Sequence, residues 1–175
     1  MILDETSLAS TLDALFHKRF FGMPLNRTEA LATGRWIASR RGKKGSYRGL
    51  FAPTENDFDG NAQLFTGEST YSRASTAHVL GEEASRALRK LSQYDEEFGS
   101  IADDADHELF ECCLSKREKA GGHCCGICTV SFWRNITSGG LKDLDKETEL
   151  EAGMELLKSR REGNGRWRRF PYYYT

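Results

Sequence analysis

Ser72-Arg73-Ala74-Ser75-Thr76-Ala77-His78-Val79-Leu80-Gly81-Glu82-Glu83-Ala84-Ser85-Arg86-Ala87-Leu88-Arg89-Lys90-Leu91-Ser92-Gln93 is the stretch that decides the fold class. Ala77, Leu80, Ala84, Ala87, Leu88 and Leu91 recur at the spacing of one helical face, which predicts a helix from Ser72 to about Gln93. Upstream, Leu8, Leu12, Leu15, Phe16 and Arg19 form a similar stripe, with Asp4 or Ser7 available as N-cap and Gly22-Met23-Pro24 as the stop after about Phe21. A second helix follows the capping candidate Asn26 and carries Ala30, Leu31, Gly34, Ile37 and Ala38. It closes on Arg40-Arg41-Gly42, basic side chains and then a glycine, as a helix C-terminus prefers. Further helices are expected over about 101–116, 125–137 and 145–161, the last with Leu150, Met154 and Leu157 on its apolar side. No segment shows the period-2 alternation of a half-buried strand, so the expected fold is all-α.

Between the second and third helices, residues 42–72 read as one irregular connection. Gly42, Gly45, Gly49, Pro53, Gly60 and Gly67 punctuate it, and Tyr47, Leu50, Phe51, Phe58, Leu64 and Phe65 anchor it. A connection of this length inside a compact domain is commonly a binding or lid segment.

A chain of 175 residues is the size of one domain with its own core. A net charge of -1 gives no bias toward nucleic acid or an anionic membrane, and neither partner is expected. No apolar run is long enough to span a bilayer, and no basic-then-apolar leader opens the sequence. All five cysteines fall between Cys112 and Cys128. An odd, clustered set fits metal-binding, catalytic or buried thiols in a reducing compartment better than a disulfide framework, so the expected location is cytoplasmic.

A repeated helix end organises the chain further. Ser39-Arg40-Arg41, Ser115-Lys116-Arg117 and Ser159-Arg160-Arg161 are each followed by a glycine (Gly45, Gly121, Gly165) and, two positions on, by a ring (Tyr47, His123, Trp167). The physical expectation is that the glycine turns in a left-handed conformation and the ring folds back over the hairpin end, stacking the three rings at one end of a helical array. Arg161-Glu162-Gly163-Asn164-Gly165-Arg166-Trp167 resembles the turn repeats of the terpenoid cyclase and protein prenyltransferase superfamily. That resemblance implies helical hairpins of the α/α-toroid type, here a partial or incomplete toroid. The acidic residue usual before the glycine is replaced by Lys44, Ala120 and Asn164, and no Asp-x-Asp-Asp motif for protonating a polyene is present.

The chemistry concentrates in Gly122-His123-Cys124-Cys125-Gly126-Ile127-Cys128. Thiolates at a helix N-terminus are favoured by free amide hydrogens and the positive dipole end, which makes them good ligands or good nucleophiles. Three readings stand side by side. In the first, the candidate zinc ligands are His123, Cys124, Cys125 and Cys128: the Cys125–Cys128 pair takes two positions, and His123 or a thiol of Cys112-Cys113 completes the site. The zinc-dependent lanthionine synthetase cyclases, also toroids, use a Cys-His-Gly motif that His123-Cys124-Cys125-Gly126 resembles with the order changed. In the second, Cys125-Gly126-Ile127-Cys128 is a redox pair resembling the thioredoxin turn, without the strand that should feed it. In the third, Cys112, Cys113 and Cys124 are small core residues and His123 a packing ring. His78 and Glu82, one turn apart, form a candidate carboxylate-oriented histidine. Tyr47, Phe51, His78, Glu82, Trp133 and Trp167 are the candidate ligand- or partner-binding residues.

Two functional classes follow. One is a helical-repeat interaction module whose binding surface is the 42–72 segment and the aromatic tail. The other is a toroid enzyme with a Cys/His zinc or thiol site acting on an apolar or peptidic substrate. The sequence ends directly after the third turn motif, so Leu150, Met154, Leu157, Phe170, Tyr172, Tyr173 and Tyr174 are expected to lack cover and to favour a protein partner or self-association through the C-terminal region.

Overall fold

The computed structural model describes residues 2–59 and 62–175, and is all-helical, with no strand among the described residues. The helices are α1 (Leu8–Phe20), α2 (Arg27–Ala38), α3 (Glu55–Asp59), α4 (Arg73–Leu91), α5 (Glu97–Leu109), α6 (Gly126–Thr137) and α7 (Lys146–Ser159), and α5 continues into a π-helical turn, Phe110–Leu114. Gly60, one of the glycines punctuating the long connection, lies outside the described residues.

The helix that decides the fold class also sits at its centre. α4 packs chiefly against α5 and α6, and then against α2 and α1. Its sequence suggests one apolar stripe, yet its buried residues run all round the helix and include His78, Glu82, Glu83 and Ser85. A helix enclosed on every side has to bury whatever polar groups it carries, and these are the ones that need partners. Close packing fixes the neighbours. Gly81 takes Leu50 so tightly that a Cβ would lie 2.8 Å from the leucine Cβ, and Gly34 of α2 receives the Phe98 ring of α5 with no room for a methyl group.

Helix starts follow local chemistry. Ser7 caps α1 by accepting from the Ser10 N–H at 2.9 Å, while Asp4 instead accepts from Thr6. Asn26 caps α2 by accepting from Glu29 N–H at 2.8 Å, Ser72 and Ser75 form a reciprocal capping box on α4, and Asp145 caps α7. The 42–72 connection is less irregular than its glycines suggest. It contains α3, whose buried Asp57 accepts from the Leu8 and Ala9 N–H groups at 3.0 and 3.1 Å and so completes the start of α1. Leu50 and Phe51 in the same connection are fully buried, so this part of it is core.

Two helix boundaries move. α2 ends at Ala38, short of Arg41, because the chain folds back to pair Arg41 with Phe51 in an isolated antiparallel bridge, and the Arg40 guanidinium donates to the carbonyls of Ala52 and Pro53. α5 begins at Glu97, ahead of Ile101, which puts Phe98 on the helix that meets Gly34.

The repeated helix ends share their backbone but not their rings. Gly45, Gly121 and Gly165 all adopt left-handed φ, at 93°, 89° and 82°. Tyr47 and His123 converge edge-on with centroids 6.2 Å apart. Trp167 does not join them. It pairs with Arg161 across an isolated bridge, and the chain then crosses the start of α6, where the Arg169 carbonyl lies over Gly126 with no space for a Cβ. Phe170 stacks on Trp133 at 5.7 Å. The tail is therefore covered in part, contrary to expectation: Tyr174 is buried and its hydroxyl donates to Glu83 at 2.5 Å, while Tyr172, Tyr173 and Met154 remain exposed.

Candidate metal centre

The thiol turn is held by contacts from two helices. Arg117 pairs with Glu149 of α7 and donates to the Gly122 carbonyl at 2.7 Å. The Gly121 N–H donates to the other Glu149 oxygen at 2.7 Å, and the Trp133 indole of α6 donates to the Gly121 carbonyl at 3.0 Å. The His123 N–H donates to Thr129 Oγ1 at 2.9 Å. Gly121 is needed twice over, for its positive φ and because its Cα faces the Ala152–Gly153 backbone at a distance that leaves no room for a side chain. So clamped, the turn delivers Cys124 to the surface, Cys125 to the N-cap of α6, and Cys128 to the first turn of that helix, where it is buried.

Opposite them stands His78 of α4. Its ring is 1% exposed, stacked on Tyr47 at 4.2 Å with a 6° interplanar angle, and touched edge-on by His123 at 4.2 Å. Nε2 lies 3.6 Å from Glu82 Oε2, one turn along the helix. Among the described residues neither ring nitrogen of His78 and neither carboxylate oxygen of Glu82 has a hydrogen-bond partner. Buried polar groups are nearly always satisfied, so four unsatisfied atoms at one point require a physical reason such as a bound ion. Ligand atoms of His78, Cys124 and Cys128 all lie within 4.8 Å of one another.

The electrostatics separate the groups. Burial works against the His78 charge, but the Glu82 carboxylate and the Cys124 sulfur outweigh it and carry its pKa up to about 9. His123 moves the other way, down to about 3, through burial and the nearby charges of His78 and Arg117. A hydrogen bond from Cys128, helped by amides of the helix start, draws the Cys125 thiol down to about 5, and its thiolate together with burial pushes Cys128 up. Tyr47 is raised to about 12 by burial and by the neighbouring sulfurs of Cys113 and Cys124.

The sequence-chosen residues divide accordingly. Tyr47, His78, Glu82, His123, Cys124, Cys125 and Cys128 come together. His123, however, is not in the ligand group: its Nδ1 accepts from the Cys124 N–H at 2.9 Å, and His78 takes the place proposed for it. Phe51 is a core residue, Trp133 secures the turn, and Trp167 belongs to the tail bridge. Cys112 and Cys124 are exposed and so are not core residues, while half-buried Cys113 packs against the edge of the core. The π-helical turn adds a residue to the helical register and rotates Cys112 outward while Leu114 turns in. Sequence reasoning did not join His78 to the thiols, although a His–Glu pair on an otherwise apolar helix face was the available signal.

The donor set fits a soft or borderline divalent ion. One imidazole and two thiolates are ligands zinc accepts, and a closed tetrahedron with its usual bond lengths has edges of about 3.5–3.8 Å, roughly an ångström tighter than the present spread. A groove of about 580 Å³ lined by Cys113, Arg117, Lys119, His123, Cys124 and Leu156 opens beside the exposed sulfur. No family model matches the chain, and no curated protein or solved structure was found to match it.

Proposed function

We propose that this chain is a thiolate–histidine metal protein of the zinc type. His78, Cys124 and Cys128 are the protein ligands, and Glu82 acts on one ring nitrogen of His78 to orient the other toward the ion, as a carboxylate commonly does behind a metal-bound imidazole. Cys125 stands beside the site as a fourth donor. The observation that carries this reading is the buried His78–Glu82 pair, without hydrogen-bond partners, whose histidine has a ring nitrogen within 4.8 Å of the sulfurs of Cys124 and Cys128. The groove beside Cys124 supports an ion that can receive an outside ligand, the arrangement of a reactive zinc more than of a sealed structural one.

The test is metal analysis of untagged protein and of protein refilled with zinc or cobalt(II). About one ion per chain is expected, with a thiolate-to-cobalt charge-transfer band. His78→Ala, Cys124→Ser and Cys128→Ser should each weaken binding by roughly tenfold or more, while Cys112→Ser leaves it unchanged. Absence of stoichiometric binding by the folded protein, or binding indifferent to His78→Ala and Cys124→Ser alike, would refute the assignment.

A further inference from the structure

A second surface lies away from the thiols, at the end of α1. Phe20, Phe21 and Tyr173, 82%, 62% and 73% exposed, stand with half-exposed Phe65 around a groove of about 740 Å³ that Phe16 also lines. Four exposed aromatic side chains gathered at one concavity exceed what scattered surface apolar residues produce, and such clusters mark interaction sites. The same groove is lined by Arg19, Arg86, Arg134 and His17, against a single carboxylate, Asp13.

The cations are not neutralised in proportion. Arg86 and Arg134 share one buried partner, Glu83, at 3.1 and 2.6 Å. Arg19, and Lys90 beside it, have no carboxylate within ion-pair distance among the described residues. Lys90 is held below the usual lysine range first by partial burial and then by the repulsion of Arg19 and Arg86, which places it beside both cations. Arg86 lies over the Phe16 ring at 4.6 Å and Arg134 over Phe65 at 4.8 Å, so the positive and aromatic groups are interleaved. Glu68 is already engaged by Thr66 and the Tyr173 N–H.

We propose that this groove docks an acidic peptide segment carrying apolar anchors, with its carboxylates on Arg19, Lys90 and Arg86 and its apolar side chains between Phe16, Phe20, Phe21 and Phe65. Charge complementarity selects the partner: a chain whose net charge is only -1 gathers the unpaired cations Arg19 and Lys90 around this exposed aromatic cluster. The concavity favours inserted side chains over a flat bilayer surface. The binding is independent of the metal.

The experiment is fluorescence anisotropy with a fluorescein-labelled peptide of about twelve residues, Leu and Trp at helical spacing among Glu and Asp. Arg19→Glu with Lys90→Glu, and separately Phe20→Ala with Phe21→Ala, should each weaken binding by roughly tenfold or more. Lys146→Glu, an exchange on the distant α7, should not change it, and added salt should weaken binding to the parent protein. The substituted phenylalanines are exposed, so circular dichroism should show an unchanged fold. No binding, or binding indifferent to both pairs of substitutions, overturns the proposal. So does preferential cosedimentation with vesicles rich in phosphatidylserine, or a dimer in sedimentation that Phe20→Ala with Phe21→Ala dissolves, which would give the groove to a membrane or to a second copy.

Discussion

Cys125 and Cys128 show how far a position on a helix can divide two identical side chains. Cys125 caps α6 and is drawn down to about 5, while Cys128, a turn further in and buried, is pushed up by the thiolate it serves. In metal-free protein, alkylation of Cys125 by iodoacetamide should therefore run at a nearly constant rate from about pH 6 to 8, whereas a free cysteine peptide speeds up steadily over that range as its thiol ionises near 8.5. A Cys125 rate that climbs in parallel with the peptide would show that the helix start does not hold the charge. Cys-x-x-Cys with a following helix was readable in the sequence, and so was the chemistry of its first thiol. The exchange of His123 for His78 was not, because the two histidines are adjacent only through the packing of α4 on α6 and the edge-on contact of their rings.

Among the elements, α4 is the best example of what periodicity does and does not tell. Its apolar spacing identified a helix correctly, but burial of His78, Glu82, Glu83 and Ser85 depends on how many neighbours surround it, which no single helix encodes. The start of α1 makes the same point: Ser7 is a local cap for the Ser10 amide, yet the Leu8 and Ala9 amides are taken by Asp57 of α3, 50 positions on from the serine that donates its hydroxyl to it. The left-handed glycines of the repeated turns were legible because φ is a local property, whereas the destinations of their rings were set by tertiary packing. Packing of α2 on α5 yields a prediction at this scale. Gly34→Ala drives a methyl group into the Phe98 ring and should destabilise the fold by about 1–3 kcal/mol in denaturant titrations. Gly163→Ser, whose Cβ would meet nothing within 4 Å, has only its backbone strain to bear and gives the comparison. Equal losses would mean that α2 and α5 are not in close contact.

At the scale of the whole molecule, Glu83 ties the centre to the C-terminal tail. It receives Arg134 of α6, Arg86 of its own helix and the Tyr174 hydroxyl, and is held below the ordinary glutamate value of 4.5: burial opposes the charge, but Arg134 and Arg86 outweigh it. A folded-state pKa below the unfolded one contributes stability above the unfolded value, and that contribution is lost as pH falls through the folded one. Acid unfolding of the parent protein should thus steepen below about pH 4.5, and Glu83→Gln should flatten that part of the profile. The same substitution should cost about 3 kcal/mol at neutral pH by leaving the partly buried Arg134 without its charge partner. An unchanged acid limb in Glu83→Gln would remove Glu83 from the account.

The passage of the tail over α6 has a thermodynamic consequence. Arg169 rests on Gly126, the residue immediately after the Cys125 cap, so docking of the last residues and ordering of the thiols act on one helical turn. Two equilibria that share a turn are reciprocal: an ion that stiffens the sulfurs must shift the tail toward its docked state, and a tail cut away must loosen the ion by the same free energy. Amide exchange of residues 170–175 should accordingly slow when zinc is added, and deletion of those residues should raise the zinc dissociation constant by an equal factor.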